Sequence, residues 1–120
     1  MREEFEAKML RVYCMETDRW EGAPLYEGIL AKCMELGIAG ATVCRGLEGF
    51  GASARIYQPH PFSISSNLPI LVSVVDTEAQ IQRLLPHVEG MIAGGLIAIS
   101  TVDAIRYFLP ERNEVGDGQP

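Results

Sequence analysis

Two stretches with the period of an amphipathic helix, each set between short apolar runs of strand type, constrain the fold of this chain more than any other feature. From Pro24 to Leu36 the apolar residues Leu25, Ile29, Cys33 and Leu36 recur at helical spacing. A second stripe runs through Ile81, Leu84, Leu85, Val88 and Met91 or Ile92. Strand candidates are Leu10 to Met15, Ala41 to Cys44, Leu68 to Val75 and Leu96 to Val102. Pro24 suits a first helical turn, Gly37 stops the first helix, Asp76 or Thr77 caps the second, and Gly94-Gly95 ends it. Pro86 lies inside the second stripe and predicts a kink or a split. The order β-α-β-β-α-β predicts an α+β, ferredoxin-like fold: a four-stranded antiparallel sheet with two helices on one face.

With 120 residues the chain fits one domain, expected over residues 8–108, with short flexible arms at 1–7 and 109–120. Ile70-Leu71-Val72-Ser73-Val74-Val75 and Leu96-Ile97-Ala98-Ile99 are apolar on both faces. Two helices cover one side of such a sheet, so the other needs a partner, and a second copy of the chain is the simplest. A homo-oligomer with sheet faces packed inward is therefore expected.

The net charge of −6 argues against a general nucleic-acid binder. The acidic N-terminus does not read as a signal peptide, and no apolar run reaches the length of a membrane span. The chain is expected not to insert into a membrane. Cys14, Cys33 and Cys44 are widely spaced without a CxxC pair and sit in apolar runs. They read as buried free thiols of a reducing cytoplasm, not as a zinc or redox site.

Between Arg45 and Val75 a single acid, Glu48, faces two arginines. Within this positive island lies Arg45-Gly46-Leu47-Glu48-Gly49-Phe50-Gly51-Ala52-Ser53-Ala54-Arg55, at the start of a long Gly-, Ser- and Pro-rich connection. Glycines let backbone N–H groups approach a ligand and permit positive φ, and guanidinium suits phosphate. The expected site is built from the N–H groups of Gly46, Gly49 and Gly51, with Arg45 or Arg55 completing the charge. The alternative is a flexible turn with solvated arginines. No Gly-Lys-Ser/Thr follows, which excludes a Walker A loop.

Gly94-Gly95 reads first as a helix end, and as a turn that an oligomer would bring to another subunit's glycine segment. Arg106, just after the predicted fourth strand, reads as a surface residue or as an interface anion ligand. His60 and His87 share no metal-ligand spacing, so no metal site is expected. Ser63, Ser65 and Ser66 have no adjacent base. Glu16, Asp18 and Glu21 form a solvated loop or contact a cation or ribose hydroxyl, and Trp20 beside them packs at an interface or under a base. With no matched pair of reacting groups, a binder is expected and not an enzyme. The enzymatic alternative would act on a phosphorylated metabolite through His60 or Glu48.

Three runs carry a resemblance. They are Leu10-Arg-Val-Tyr13, Glu16-Thr-Asp-Arg-Trp-Glu-Gly-Ala-Pro-Leu-Tyr-Glu27, and Gly40-Ala-Thr-Val-Cys-Arg-Gly-Leu-Glu-Gly-Phe-Gly-Ala-Ser53. With Asn67-Leu-Pro-Ile70, Val75-Asp76, Leu85-Pro86 and Gly95-Leu96, they make residues 8–106 similar to the PII-like proteins grouped as domain-of-unknown-function family one-ninety. The resemblance implies a trimer binding an adenine nucleotide (AMP, ADP or ATP) in clefts between subunits, with no cofactor required. Taken with the reading of the residues above, the expected ligand-binding set is Arg45, Gly46, Gly49, Phe50, Gly51, Arg55, Gly94, Gly95 and Arg106. The loop 46–66 would report ligand state to a regulatory partner, and genes for fluoride-exporter membrane proteins beside those of the family point to a membrane transporter. A structural or metal-tolerance trimer without nucleotide is the remaining alternative. Two departures stand out: the long loop lacks a recognisable uridylylation context around Tyr57, and Gly94-Gly95 has no neighbouring lysine for phosphate.

Overall fold

The computed structural model describes residues 1–51 and 67–110. Strand β1 spans Arg2–Met15, followed by two short strands, β2 (Arg19–Trp20) and β3 (Ala23–Pro24), which form a small hairpin. Helix α1 (Leu25–Glu35), β4 (Ala41–Arg45), β5 (Pro69–Asp76), α2 (Glu78–Met91) and β6 (Leu96–Tyr107) complete the chain. The main sheet has the order β4-β5-β1-β6, with every neighbouring pair antiparallel. This is the expected ferredoxin-like arrangement.

Register divides the residues between two faces. Leu10 pairs with Val74, Val12 with Val72 and Cys14 with Ile70, and all six are buried against the helices. Leu25, Ile29 and Cys33 of α1 and Ile81, Leu84, Val88 and Met91 of α2 close that core. The opposite face carries Met9, Arg11 and Tyr13 of β1, register partners of Val75, Ser73 and Leu71 on β5. Among the described residues no helix covers it, and Tyr13 and Leu96 are exposed there.

The helices are joined by polar side chains as well as by the core. Arg83 Nη1 donates to the Leu36 carbonyl at 2.9 Å, and Gln80 Nε2 donates to the Gly37 carbonyl at 3.1 Å. These two α2 residues satisfy carbonyls left unpaired at the C-terminus of α1. The Thr77 hydroxyl caps α2 by accepting from the Gln80 N–H at 3.3 Å. Buried Asp76 accepts from the Thr77 N–H at 2.7 Å and the Ala39 N–H at 2.9 Å, tying β5 to the turn that leads into β4.

Four expectations need correction. Residues 2–7 are not an arm: they pair with Val102–Tyr107 as a two-stranded ribbon beyond the reach of β5. Acidic residues there obscured a strand whose ladder partner lies almost a hundred residues away. For the same reason β6 continues past Val102 to Tyr107. Pro86 does not split α2. Pro86 and Gln82, whose carbonyl loses a helical donor to proline, are both on the solvent side, where water meets the unpaired group. Finally, Cys44 is exposed, while Cys14 and Cys33 are buried. Cys44 is the register partner of Leu71 and lies on the uncovered face.

Candidate functional site

The C-terminal ends of β1 and β4 and the N-terminal ends of β5 and β6 meet at one end of the sheet. There they form an open cleft of about 790 Å³. The row Cys44, Leu71, Tyr13 and Leu96, in continuous cross-strand register, supplies part of its wall. The cleft is therefore continuous with the uncovered sheet face. Gly46, Gly49, Phe50 and Gly51 enter it from the end of β4, and Gly94 and Gly95 from the turn before β6. The two glycine segments line one cleft within a single chain, whereas the sequence reading brought them together across an oligomer.

The glycines do different things. The Gly46 N–H donates to the Pro69 carbonyl at 2.7 Å, so it is spent within the fold and not offered to an anion. A methyl group at residue 46 would lie 2.9 Å from Pro69 Cγ, which explains why glycine stands there. Gly49 also packs near Pro69, whereas a methyl group at Gly51 or Gly94 would meet nothing among the described residues. Positive φ, expected in the glycine segment, occurs instead at Gly22, Gly37 and Gly95 among the described glycines. Gly95, at φ +124°, sits against the Tyr13 backbone: a methyl group would come within 2.5 Å of its carbonyl oxygen. This contact sets the turn against the end of β1.

The arginines fall elsewhere. Arg45 Nη2 is 2.6 Å from Glu16 Oε2 and is not among the residues lining the cleft. Arg106 lies at the far end of β6, 4.9 Å from the Phe5 ring centroid and 3.9 Å from Asp76 Oδ1. There it lines a second hollow of about 470 Å³ with Thr42, Ser73 and Val75. Arg55, with Tyr57, His60 and Ser63, Ser65 and Ser66, lies outside the described residues.

The charged groups lining the cleft are carboxylates, Asp18 and Glu48; no lysine or arginine lines it among the described residues. Asp18 is fixed in place. Its Oδ2 accepts from the Met15 N–H at 2.9 Å, and its carbonyl accepts from the Leu25 N–H at 2.8 Å. Burial, helped by the charge of Asp18, pushes the Cys14 thiol up to about 11. Cys14 is therefore protonated at neutral pH and is no nucleophile.

Trp20, expected at an interface or under a base, packs instead on α1. A methyl group at Gly28 would meet its indole at 2.8 Å. Sequence reasoning missed Tyr13, Pro69, Leu71 and Leu96 as walls of the cleft. Their signal was the two-sided apolar character of the strands, which spoke of burial without saying where.

Among the described residues, no helix is long and apolar enough to cross a membrane, and no group of three or more His, Cys, Asp or Glu side chains is placed to hold a metal ion. Residues 7–104 match the DUF190 family, described as "Uncharacterized ACR, COG1993". A UPF0166 protein of Aquifex aeolicus is 36% identical over 98 residues, covering 82% of this chain and 92% of the relative. A second UPF0166 protein, from Methanocaldococcus jannaschii, is 38% identical over 96 residues, covering 79% and 88%. Among solved structures, CPII, a nitrogen regulatory PII-like protein from Thiomonas intermedia K12 bound to ADP, AMP and bicarbonate, superposes with a TM-score of 0.61. It is 17% identical, over 85% of this chain and 91% of that one. The family match and the two relatives agree along nearly the whole described domain: the chain belongs to the DUF190 family.

Proposed function

We propose that this protein is a PII-like regulatory protein that binds an adenine nucleotide in the cleft at the strand ends, at a seam between identical subunits. The observation that carries the reading is the convergence of Gly49–Gly51 and Gly94-Gly95 on a cleft whose wall continues into a partly apolar sheet face that no described helix covers. The cleft has aromatic and aliphatic walls for a base in Tyr13, Phe50 and Leu96. The adenine nucleotides in the CPII structures support the choice of ligand.

The uncovered face supports an oligomer, which we take to be a trimer. Apolar surface of this extent on a sheet calls for a partner, and self-association supplies one. Assembly also gives Arg106 a role. It lies ten residues along β6 from Leu96, about 33 Å at the usual rise of a strand. It contributes to a cleft by reaching that of a neighbouring copy. Together with Arg55 it is the source of positive charge for the phosphate end of the ligand. Gly51 and Gly94, which no described residue crowds, take over the backbone contacts first assigned to Gly46.

Binding changes the population of arrangements of residues 46–66, and a protein partner, which we place at a membrane transporter, reads the change. No catalytic step is invoked. Titration calorimetry with AMP, ADP, ATP and cyclic AMP at low salt tests the reading. Saturable heat with one site per chain is expected. Absence of heat and of any thermal shift with all four would overturn it.

A further inference from the structure

Resting on that nucleotide reading, we infer that Glu16 is a positioning residue for the cleft. It touches no ligand and acts through Arg45, fixing the end of β4 so that the glycine segment faces the ligand. Among the described residues β4 is an edge strand, paired with β5 alone. Its last residue, Arg45, is the register partner of Ile70, and the next residue, Gly46, enters the cleft. Glu16 directly follows β1, on the other side of β5. The contact of 2.6 Å between Arg45 Nη2 and Glu16 Oε2 therefore reaches across β5 and ties the edge strand to the interior strand. Backbone groups tighten the same corner. The Glu16 N–H donates to the Leu68 carbonyl at 2.9 Å, and the Thr17 N–H donates to Asn67 Oδ1 at 3.2 Å. Residues 16 and 17 thus hold both the exit of β4 and the entry to β5, while neither Glu16 nor Arg45 lines the cleft.

The pair is partly shielded, with the Glu16 side chain 22% exposed and that of Arg45 58% exposed. An ion pair in such a setting shifts an equilibrium about two- to fivefold. Arg45 and Gly46 are adjacent, so the direction held at Arg45 sets the direction in which the chain leaves β4. A ligand that meets Gly49, Phe50 and Gly51 binds only molecules whose segment lies in the cleft, and its apparent affinity scales with that fraction. A guanidinium serving phosphate directly would behave in the opposite way: removing Glu16 would free it and tighten binding. The sign of a Glu16 substitution separates the two uses of Arg45.

The test measures AMP binding by calorimetry at low ionic strength on the full chain, on Glu16→Gln, on Arg45→Gln and on the double variant. The backbone bonds of Glu16 and Gly46 do not depend on these side chains, so all three variants are expected to fold. Each single substitution should weaken AMP about two- to fivefold. The double variant should be no weaker than the weaker single, because both remove the same pair. A second measurement needs no ligand. Exchange of the Gly46 amide hydrogen, bonded to the Pro69 carbonyl, should be faster in both single variants by a common factor, while that of Ile29 in the buried face of α1 keeps its rate. AMP bound as tightly or more tightly by Glu16→Gln, or losses that multiply in the double variant, would overturn the positioning role while leaving nucleotide binding intact. An unchanged Gly46 exchange rate in both variants would overturn it whether or not AMP binds. Absence of AMP binding by the natural chain, with Gly46 exchange still faster in the variants, would overturn the nucleotide reading and leave Glu16 as the tie between β1 and β4.

Discussion

At the scale of single residues, Gly95 carries the tightest backbone constraint at the site. Its φ of +124° and its approach to the Tyr13 carbonyl leave no room for a side chain. Gly95→Ala should lower unfolding stability by about 2 kcal/mol or more, whereas Gly94→Ala, with open space around it, should stay within about 0.5 kcal/mol. Urea denaturation of the two variants measures the contrast. The sequence showed the glycine pair as a helix end. It did not show which of the two is indispensable, because the reason lies at Tyr13, eighty residues earlier. The same holds for Gly46: its use as a close neighbour of Pro69, with its N–H already spent, depends on how β4 and β5 meet.

The thiols give a second test at this scale. Cys44 is exposed and lines the cleft, while Cys14 is buried and its pKa is raised from 9.0 to about 11. At pH 8 a thiol reagent should modify Cys44 first, and bound AMP should slow it; equal rates at all three cysteines would contradict the placement. The folded state holds the Cys14 proton more tightly than the unfolded chain. That contribution to stability is complete below pH 9 and is lost as pH rises toward about 11. Cys14→Ala should flatten the decline over this interval in a series of urea melts.

At the scale of elements, α2 shows why a local rule can mispredict a break. Proline removes one helical hydrogen bond, yet the freed carbonyl of Gln82 faces water and the buried side of the helix, Ile81, Leu84 and Val88, is uninterrupted. Pro86→Ala should therefore raise stability by about 1–3 kcal/mol, measured by thermal or urea unfolding. The four-strand, two-helix order was legible because each stripe has a clear period and clear end signals. The ribbon of residues 2–7 with 102–107 was not. Glu3, Glu4 and Glu6 look like a solvated arm until the partner strand is known. Phe5 and Ala7, alternating with the acids, were the available hint.

At the scale of the whole molecule, the sheet has one face sealed by helices and one that no described helix covers. The open face is not uniformly apolar. One row, Thr42, Ser73, Arg11 and Ala98, crosses it between the apolar rows that contain Leu71 and Val75. Self-association is expected to cover the apolar rows. Leu71→Glu should weaken assembly in sedimentation experiments while leaving the helix-side core folded. The two-sided apolar strands announced this surface from the sequence. The site beside it was only half legible, since the glycine segments were visible but the acidic wall and the distance of Arg106 emerged from the fold.

Native mass spectrometry of the intact chain with excess AMP tests the central claim most directly, because it reads assembly and ligand together. A trimer carrying up to one AMP per chain is the predicted result. A monomer mass, or an oligomer that retains no adenine nucleotide at any concentration, would contradict the account.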